Sequence, residues 1–176
     1  MVGCLSMNRS LLAFSVANVR LGLDAMHVQE VVPSARLVTP PELPPLLRGF
    51  LSINHTLVPV IRLEKLVLPA PYSSDLPLRL TDRLVITRIC GQNLAWVVGN
   101  DLELLPYRTR DLSPVPEDHV LNDCADSILP EEPPVILLNP EKLLLEAERL
   151  RIEQLRAREL DRLTLITAPT PALQSA

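Results

Sequence analysis

Apolar side chains in this chain come in short runs broken by small polar pairs, the pattern of hairpin-connected strands. Leu11 to Val16 and Val19 to Leu23 flank Ala17-Asn18, where asparagine tolerates the left-handed backbone of a tight turn. Asp24 is placed to cap a single helical turn through His27. Val28 to Val32 and Arg36 to Val38 then return to β-branched character on either side of Pro33, and Pro40, Pro41, Pro44 and Pro45 end the segment. Gly49 to Ile53 and Thr56 to Ile61 flank Asn54-His55, a second predicted hairpin.

From Pro69 to Thr81 the periodicity disappears into a Pro/Ser-rich stretch, which predicts a surface connection between two halves of similar layout. Leu84 to Ile89 and Leu94 to Val98 flank Gly91-Gln92-Asn93, and Leu102 to Leu105 follows. A polar, proline-containing loop then runs through Asp126, and Val135 to Leu138 is the last predicted strand. Asn139 as cap and Pro140 at the first helical position predict a helix over 140–163. Arg149 with Glu153, Glu153 with Arg156, and Arg158 with Asp161 have the spacing of a solvated, charge-paired face. The apolar positions start on one side (Leu143, Ala147, Leu150) and drift to another (Ile152, Leu155, Leu163), so no coiled-coil seam persists. The first set is expected to pack on the domain. Residues 1–10 read as a lead and 164–176 as a flexible tail.

Composition sharpens this picture. A chain of 176 residues holds one domain or two small subdomains sharing a core. Eighteen prolines against five glycines favour short elements over long helices. The net charge of −4, with basic residues scattered, lacks the stripe that a phosphate backbone needs, so nucleic acid is not an expected partner. Cys4, Cys90 and Cys124 form no framework spacing and read as free thiols of a reducing compartment, Cys90 as a small buried hydrophobe at a strand end. No apolar run approaches the roughly 18 residues of a membrane span, and Arg9 interrupts the N-terminal stretch. The expected location is the cytoplasm, without direct membrane insertion.

Candidate chemistry is sparse. Neither a phosphate-cradling glycine motif nor a His-Glu-x-x-His pair can be written anywhere in the chain. Asp118, His119, Asp123, Cys124 and Asp126 bring ligand and nucleophile types close together, and would be the site of a small metal-dependent or cysteine enzyme. An acidic loop between strands explains the same residues without chemistry. His27 and His55 stand apart from any serine or cysteine and read as surface or interface residues. No cofactor or metal is expected, and no catalytic residue.

Leu21 to Val31, Leu43 to Gly49, Val58 to Ile61, Asp82 to Ile86, Leu94 to Gly99, Asp111 to Pro114 and Ile136 to Leu144, in that order, resemble the CheW-like domain of chemotaxis coupling proteins and CheA kinases. Leu21-Gly22-Leu23-Asp24-Ala25-Met26-His27-Val28-Gln29-Glu30-Val31 is similar to the family's strand, helical turn and Val-x-Glu-Val continuation. Leu43-Pro44 to Arg48-Gly49, followed by Val58-Pro59-Val60-Ile61, resembles its proline-led approach, Arg-Gly and Val-Pro-Val/Ile. Asp82 to Ile86, Leu94 to Gly99, Asp111 to Pro114 and Ile136 to Leu144 match the remaining order.

The resemblance covers about 11–146. It implies an all-β fold of two small five-stranded barrels around a shared core, one from residues 11–68 and one from 82–139, with a C-terminal helix. It also implies a non-enzymatic adaptor linking the cytoplasmic domain of a chemoreceptor to a CheA-type histidine kinase. A diverged scaffold of a related pathway, such as pilus-based motility or a kinase-only paralogue, is the alternative. Val28 and Glu30 are expected on one side of the partner-facing strand, with Gln29 on the other. Where the family has Asn-Leu-Arg-Gly and an Asp after Val-Pro-Val, this chain has Ser52-Ile53-Asn54-His55 and Arg62. Arg62 is therefore expected to return the hairpin's lost positive charge to the same neighbourhood, completing a partner-binding set of Val28, Glu30, Asn54, His55 and Arg62.

Overall fold

The computed structural model describes residues 8–68, 77–121 and 123–167. In the first half lie β1 (Arg9–Val16), β2 (Val19–Asp24), a 3-10 turn over Ala25–His27, β3 (Val28–Pro33), β4 (Leu47–Ile53), β5 (Thr56–Ile61) and α1 (Leu63–Val67). The second half supplies β6 (Arg83–Ile89), β7 (Gln92–Val98), β8 (Glu103–Tyr107), a 3-10 turn over Thr109–Asp111, β9 (Ala125–Leu129), β10 (Val135–Leu138) and α2 (Glu146–Thr167). Cys4, most of the lead, much of the Pro/Ser-rich connection and the end of the tail lie outside the described residues.

Paired left-handed residues reverse the chain at three hairpins. Ala17 and Asn18 have φ of 45 and 67°, Asn54 and His55 of 47 and 63°, and Cys90 and Gly91 of 49 and 80°. Positive φ at both turn residues matches the right-handed twist of the flanking strands. His55 thus adopts the backbone that a glycine would favour. The third hairpin corrects two expectations: Gln92 and Asn93 pair with Ile89 and Arg88, so the chain reverses at Cys90-Gly91 and leaves Cys90 exposed at the tip.

One sheet has the order β8-β1-β2-β10-β9 and the other β3-β6-β7-β5-β4. Strands five apart in the chain occupy equivalent places in the two orders, so the halves are structural repeats that have exchanged their last three strands. Each sheet therefore draws on both halves, and the expected division into 11–68 and 82–139 is not the structural one. The crossings are β10 parallel to β2 and β5 parallel to β7.

Closed barrels are not seen. Each sheet has two edges, and a single bridge links the segment after one edge strand to the other edge: Val38 with Phe50, and Ser113 with Ile128. Both partners exchange N–H···O bonds of 2.8 Å in each case. Arg36 to Val38 contributes this bridge in place of a strand. Gly49 makes it possible, because β4 bulges there at φ 150° and a Cβ would stand 2.8 Å from the Val38 carbonyl oxygen.

The largest apolar cluster fills the space between the sheets, with Phe14, Leu23, Phe50, Ile61, Val85 and Trp96 at its centre. The Trp96 indole N–H donates to the buried Thr87 hydroxyl at 2.7 Å. Each sheet also buries its other face, around Leu11, Ala13 and Val135 in one and around Val60, Leu84 and Ile86 in the other.

α2 begins at Glu146, later than the expected start at 140. Asn139 does accept from the Glu141 N–H at 3.0 Å, but the turn it caps ends where Leu143 and Leu144 drop into the shared core. The helix restarts with Glu148 accepting from the Leu145 N–H at 2.8 Å, half of a capping box. Beyond Leu143, its packed face also differs from the expected one. Ile152 and Leu155 are buried, whereas Ala147 and Leu150 face solvent. Of the expected ion pairs, Glu153 with Arg156 forms; Arg149 pairs instead with Glu146, and Glu159 with Arg162.

Candidate functional site

The 3-10 turn after β2 touches both β1 and β6, so β3 starts from the seam between the sheets. Asp24 organises that seam. The residue is 7% exposed, and its carboxylate accepts from the Met26 N–H at 3.0 Å as the expected cap and pairs with Arg9 at 2.7 Å. The Tyr107 hydroxyl from β8 donates to the same oxygen, Oδ2, that pairs with Arg9, and the Arg9 guanidinium lies 5.9 Å from the Tyr107 ring centroid. Arg9 also donates to the Met26 sulfur at 2.9 Å, which fixes a methionine that is 72% exposed. Burial, then the Asp24 carboxylate, push the Tyr107 phenol up to about 12.

Among the described residues β3 pairs only with β6 and leaves its other edge open. A bulge between Val28 and Glu30 changes the expected alternation: Val28 lies opposite Thr87 and Glu30 opposite Ile86. Thr87 and Ile86 are neighbours on β6 and point to opposite faces, so Val28 and Glu30 do too. Val28 packs against the shared core, and Glu30 is exposed on the other side.

The Asn54-His55 turn is exposed at the same end of the sheet as the start of β3, but β5 lies three strands away, about 14 Å along the sheet. Arg62 stands at the far end of β5, six residues from Thr56, roughly 20 Å from the turn. It is half-buried at the start of α1, its N–H bonded to the Leu46 carbonyl at 2.9 Å. Arg62 cannot return a charge to the hairpin, and the compensation expected from sequence is absent. The structure brings Val28 and Glu30 together on one strand, the hairpin at the same end, and Arg62 elsewhere.

Three further exposed apolar residues lie on elements around the seam, and the sequence reading did not single them out: Met26, Val31 and Leu104. Val31 is 38% and Leu104 63% exposed. They sit on β3 and β8, equivalent edge strands in the two repeats. Each lies opposite a buried member of the shared core, Val85 and Leu12 respectively. Both therefore extend the core's apolar face to the rim of the seam. The signal for Val31 was an unbroken Val-Val pair beside Glu30; Leu104 carried none, because Leu102 to Leu105 does not say which leucine faces out.

A profile of the CheW-like domain matches residues 10–148. The chain belongs to the CheW-like family. Among solved structures, the scaffolding protein TtCheW from Thermoanaerobacter tengcongensis is similar with 23% identity and a TM-score of 0.69, over 79% of this chain and 89% of that one. That likeness speaks to the fold of the CheW-like domain. No curated protein matches. Almost all of α2 lies beyond the matched residues.

The acidic loop of this CheW-like domain is held by ordinary contacts. Asp126 takes Lys142 at 2.9 Å and Asn139 at 3.2 Å, and His119 Nδ1 accepts from the Leu121 N–H. Burial, with Asp123 adding to it, raises the Cys124 thiol, which opposes thiolate formation. Among the described residues no group of three His, Cys, Asp or Glu could hold a metal ion, and no helix is long and apolar enough to cross a membrane.

Proposed function

We propose that this CheW-like chain is a non-catalytic cytoplasmic adaptor that joins a chemoreceptor's cytoplasmic domain to a CheA-type histidine kinase. The family match over residues 10–148 carries the reading. The seam supports it physically: exposed Met26, Val31 and Leu104 are apolar side chains of the kind that interfaces bury, and Glu30 presents a charge on the opposite face of β3 from Val31. Val28, behind the bulge, positions that strand.

A kinase-only or related-pathway scaffold is the second reading, favoured by the hairpin. His55 keeps a two-residue turn at φ 63° while presenting an imidazole where the family has glycine, so the tip's chemistry differs.

The test is to titrate a receptor cytoplasmic fragment and a kinase C-terminal fragment separately against wild type, Glu30→Lys, Val31→Glu and His55→Gly. Coupling requires both fragments to bind and the β3 variants to weaken binding while melting temperatures stay within a few degrees. Kinase binding alone supports the second reading. Binding of neither fragment sinks both.

A further inference from the structure

α2 packs on β5, on the side of the sheet away from β3, and almost all of it lies beyond the CheW-like match. The groove it fills belongs to the CheW-like domain; its cover does not. Ile152 and Leu155 are buried in the shared core, and Leu160 and Leu163 pack against that core half-buried. Steps of three, five and three residues put all four on one face of the helix. The fit is loose on both flanks of that face. On one, a cavity of about 510 Å³ is walled by Pro44, Pro45, Leu46 and Leu66, where the apolar side chains of α2 are only Ala147 and Ile152. On the other, a cavity of about 240 Å³ lies between Ile152 and Leu57, Pro59 and Leu94. Lys65 and Arg151 share the wider cavity with Glu148, so charges of both signs are present and apolar shape decides what fits.

α2 also carries its polar contacts with it. Arg149, Arg156 and Arg162 pair with Glu146, Glu153 and Glu159, each one turn earlier on the same helix, and Thr164 and Thr167 bond back to helix carbonyls. Glu148 reaches no further than the Leu145 N–H. Among the described residues, one polar tie leaves the helix for the strands: Arg149 donates to the Cys90 sulfur at 3.2 Å, on the exposed tip of the β6-β7 hairpin. The anchoring of the preceding segment stops at Leu143 and Leu144, both buried, and Leu145 after them is 70% exposed. The helix is therefore able to leave as an intact unit from a hinge at Leu145, breaking apolar contacts and one bond to sulfur.

We propose that α2 is an exchangeable strap over a helix-binding groove, and that an amphipathic helix of a partner protein takes its place, apolar at the same four positions and bulkier where α2 has Ala147. The seating of α2 specifies this occupant: the groove accepts a helix by one apolar face, and the wider cavity has room for a larger side chain than alanine. While the strap is closed it lowers the partner's apparent affinity, so anything that loosens α2 strengthens binding. The groove lies across the sheet from β3, so it is a second surface and does not depend on the coupling reading above.

The probes are fluorescent synthetic peptides spanning Glu146–Thr167: the natural sequence, one with Ala147→Leu, and one with Ile152→Ala and Leu155→Ala. Fluorescence anisotropy measures their binding to three full-length chains, wild type, Arg149→Ala and Ile152→Ala, each checked for folding by circular dichroism. The Ala147→Leu peptide should bind wild type more tightly than the natural peptide does. It should bind Ile152→Ala about tenfold or more tightly than wild type, because that chain's own strap competes less. Arg149→Ala keeps all four anchors and loses the tie to Cys90, so it should bind more tightly than wild type by a smaller factor, and it carries the comparison if Ile152→Ala fails to fold. The peptide without Ile152 and Leu155 should not bind. With an isotopically labelled chain, the amides of its own α2 should exchange with solvent faster once the Ala147→Leu peptide is bound. Folded chains that bind no peptide, an affinity that neither chain variant raises, an α2 that stays as protected in the complex as alone, or equal binding by the peptide lacking its anchors would each overturn the proposal.

Discussion

The Tyr107 hydroxyl donates to the Asp24 carboxylate at 2.5 Å, joining β8 to the end of β2 across 83 residues of sequence. Because the folded phenol is raised to about 12 from an ordinary 10.0, the protonated form is the stabilising one. Its contribution is fully present below pH 10 and is lost as pH rises towards 12. Urea denaturation across that window should show wild type losing stability more steeply than Tyr107→Phe. At neutral pH the same substitution should lower stability by about 1.5–3 kcal/mol, since a bond to a charged acceptor is removed.

Gly49→Ala should destabilise by about 1–3 kcal/mol, because the new methyl meets the Val38 carbonyl oxygen at 2.8 Å in a backbone that disfavours side chains. Gly91→Ala adds a methyl with nothing within 4 Å, so only left-handed strain of roughly 1 kcal/mol remains. Chemical denaturation of the pair separates the clash from the strain.

α2 is part of the folded core, with Ile152 at 4% and Leu155 at 5% exposure. Ile152→Ala and Leu155→Ala should each lose about 2–5 kcal/mol, whereas Leu150→Ala, at 56% exposure, should change stability by no more than about 0.5 kcal/mol. Truncation after Leu145 should accordingly lower the denaturation midpoint sharply. An unchanged midpoint would mean that the helix does not pack as described.

Thr87→Val removes the acceptor of the buried Trp96 indole at nearly constant volume. A loss of about 1–3 kcal/mol is expected. Trp96 is the chain's one tryptophan, so its fluorescence reports the change directly.

Local chemistry made the hairpins legible: Asn18, Asn54 and Gly91 marked the turns, and Asp24 marked its cap. Residues whose fate depends on distant partners were not legible. Ala125–Leu129 reads as part of a polar loop until β10 lies beside it, and the bulge that turns Glu30 away from Val28 exists only against β6. The helix start was misplaced because Pro140 is a genuine local signal, overridden when Leu143 and Leu144 are drawn into a core built by other segments. Pairing between the repeats leaves no mark on either one, so the exchange of strands could not be read from their similar layout. For the site, the family motif led to β3; the separation of Arg62 from the hairpin required knowing that β5 runs straight between them.

The exchanged strands also set a timetable. β1 and β2 leave the ribosome before the other strands of the two sheets, and β10, which covers Leu21 and Leu23 on β2, is made about 110 residues later, on the order of 5–20 s at typical synthesis rates. For that interval the nascent chain carries a hairpin that cannot complete its sheet. Dependence on a holding chaperone during translation, greater than that of a domain whose neighbours in sequence are neighbours in space, follows from the order in which its parts are born.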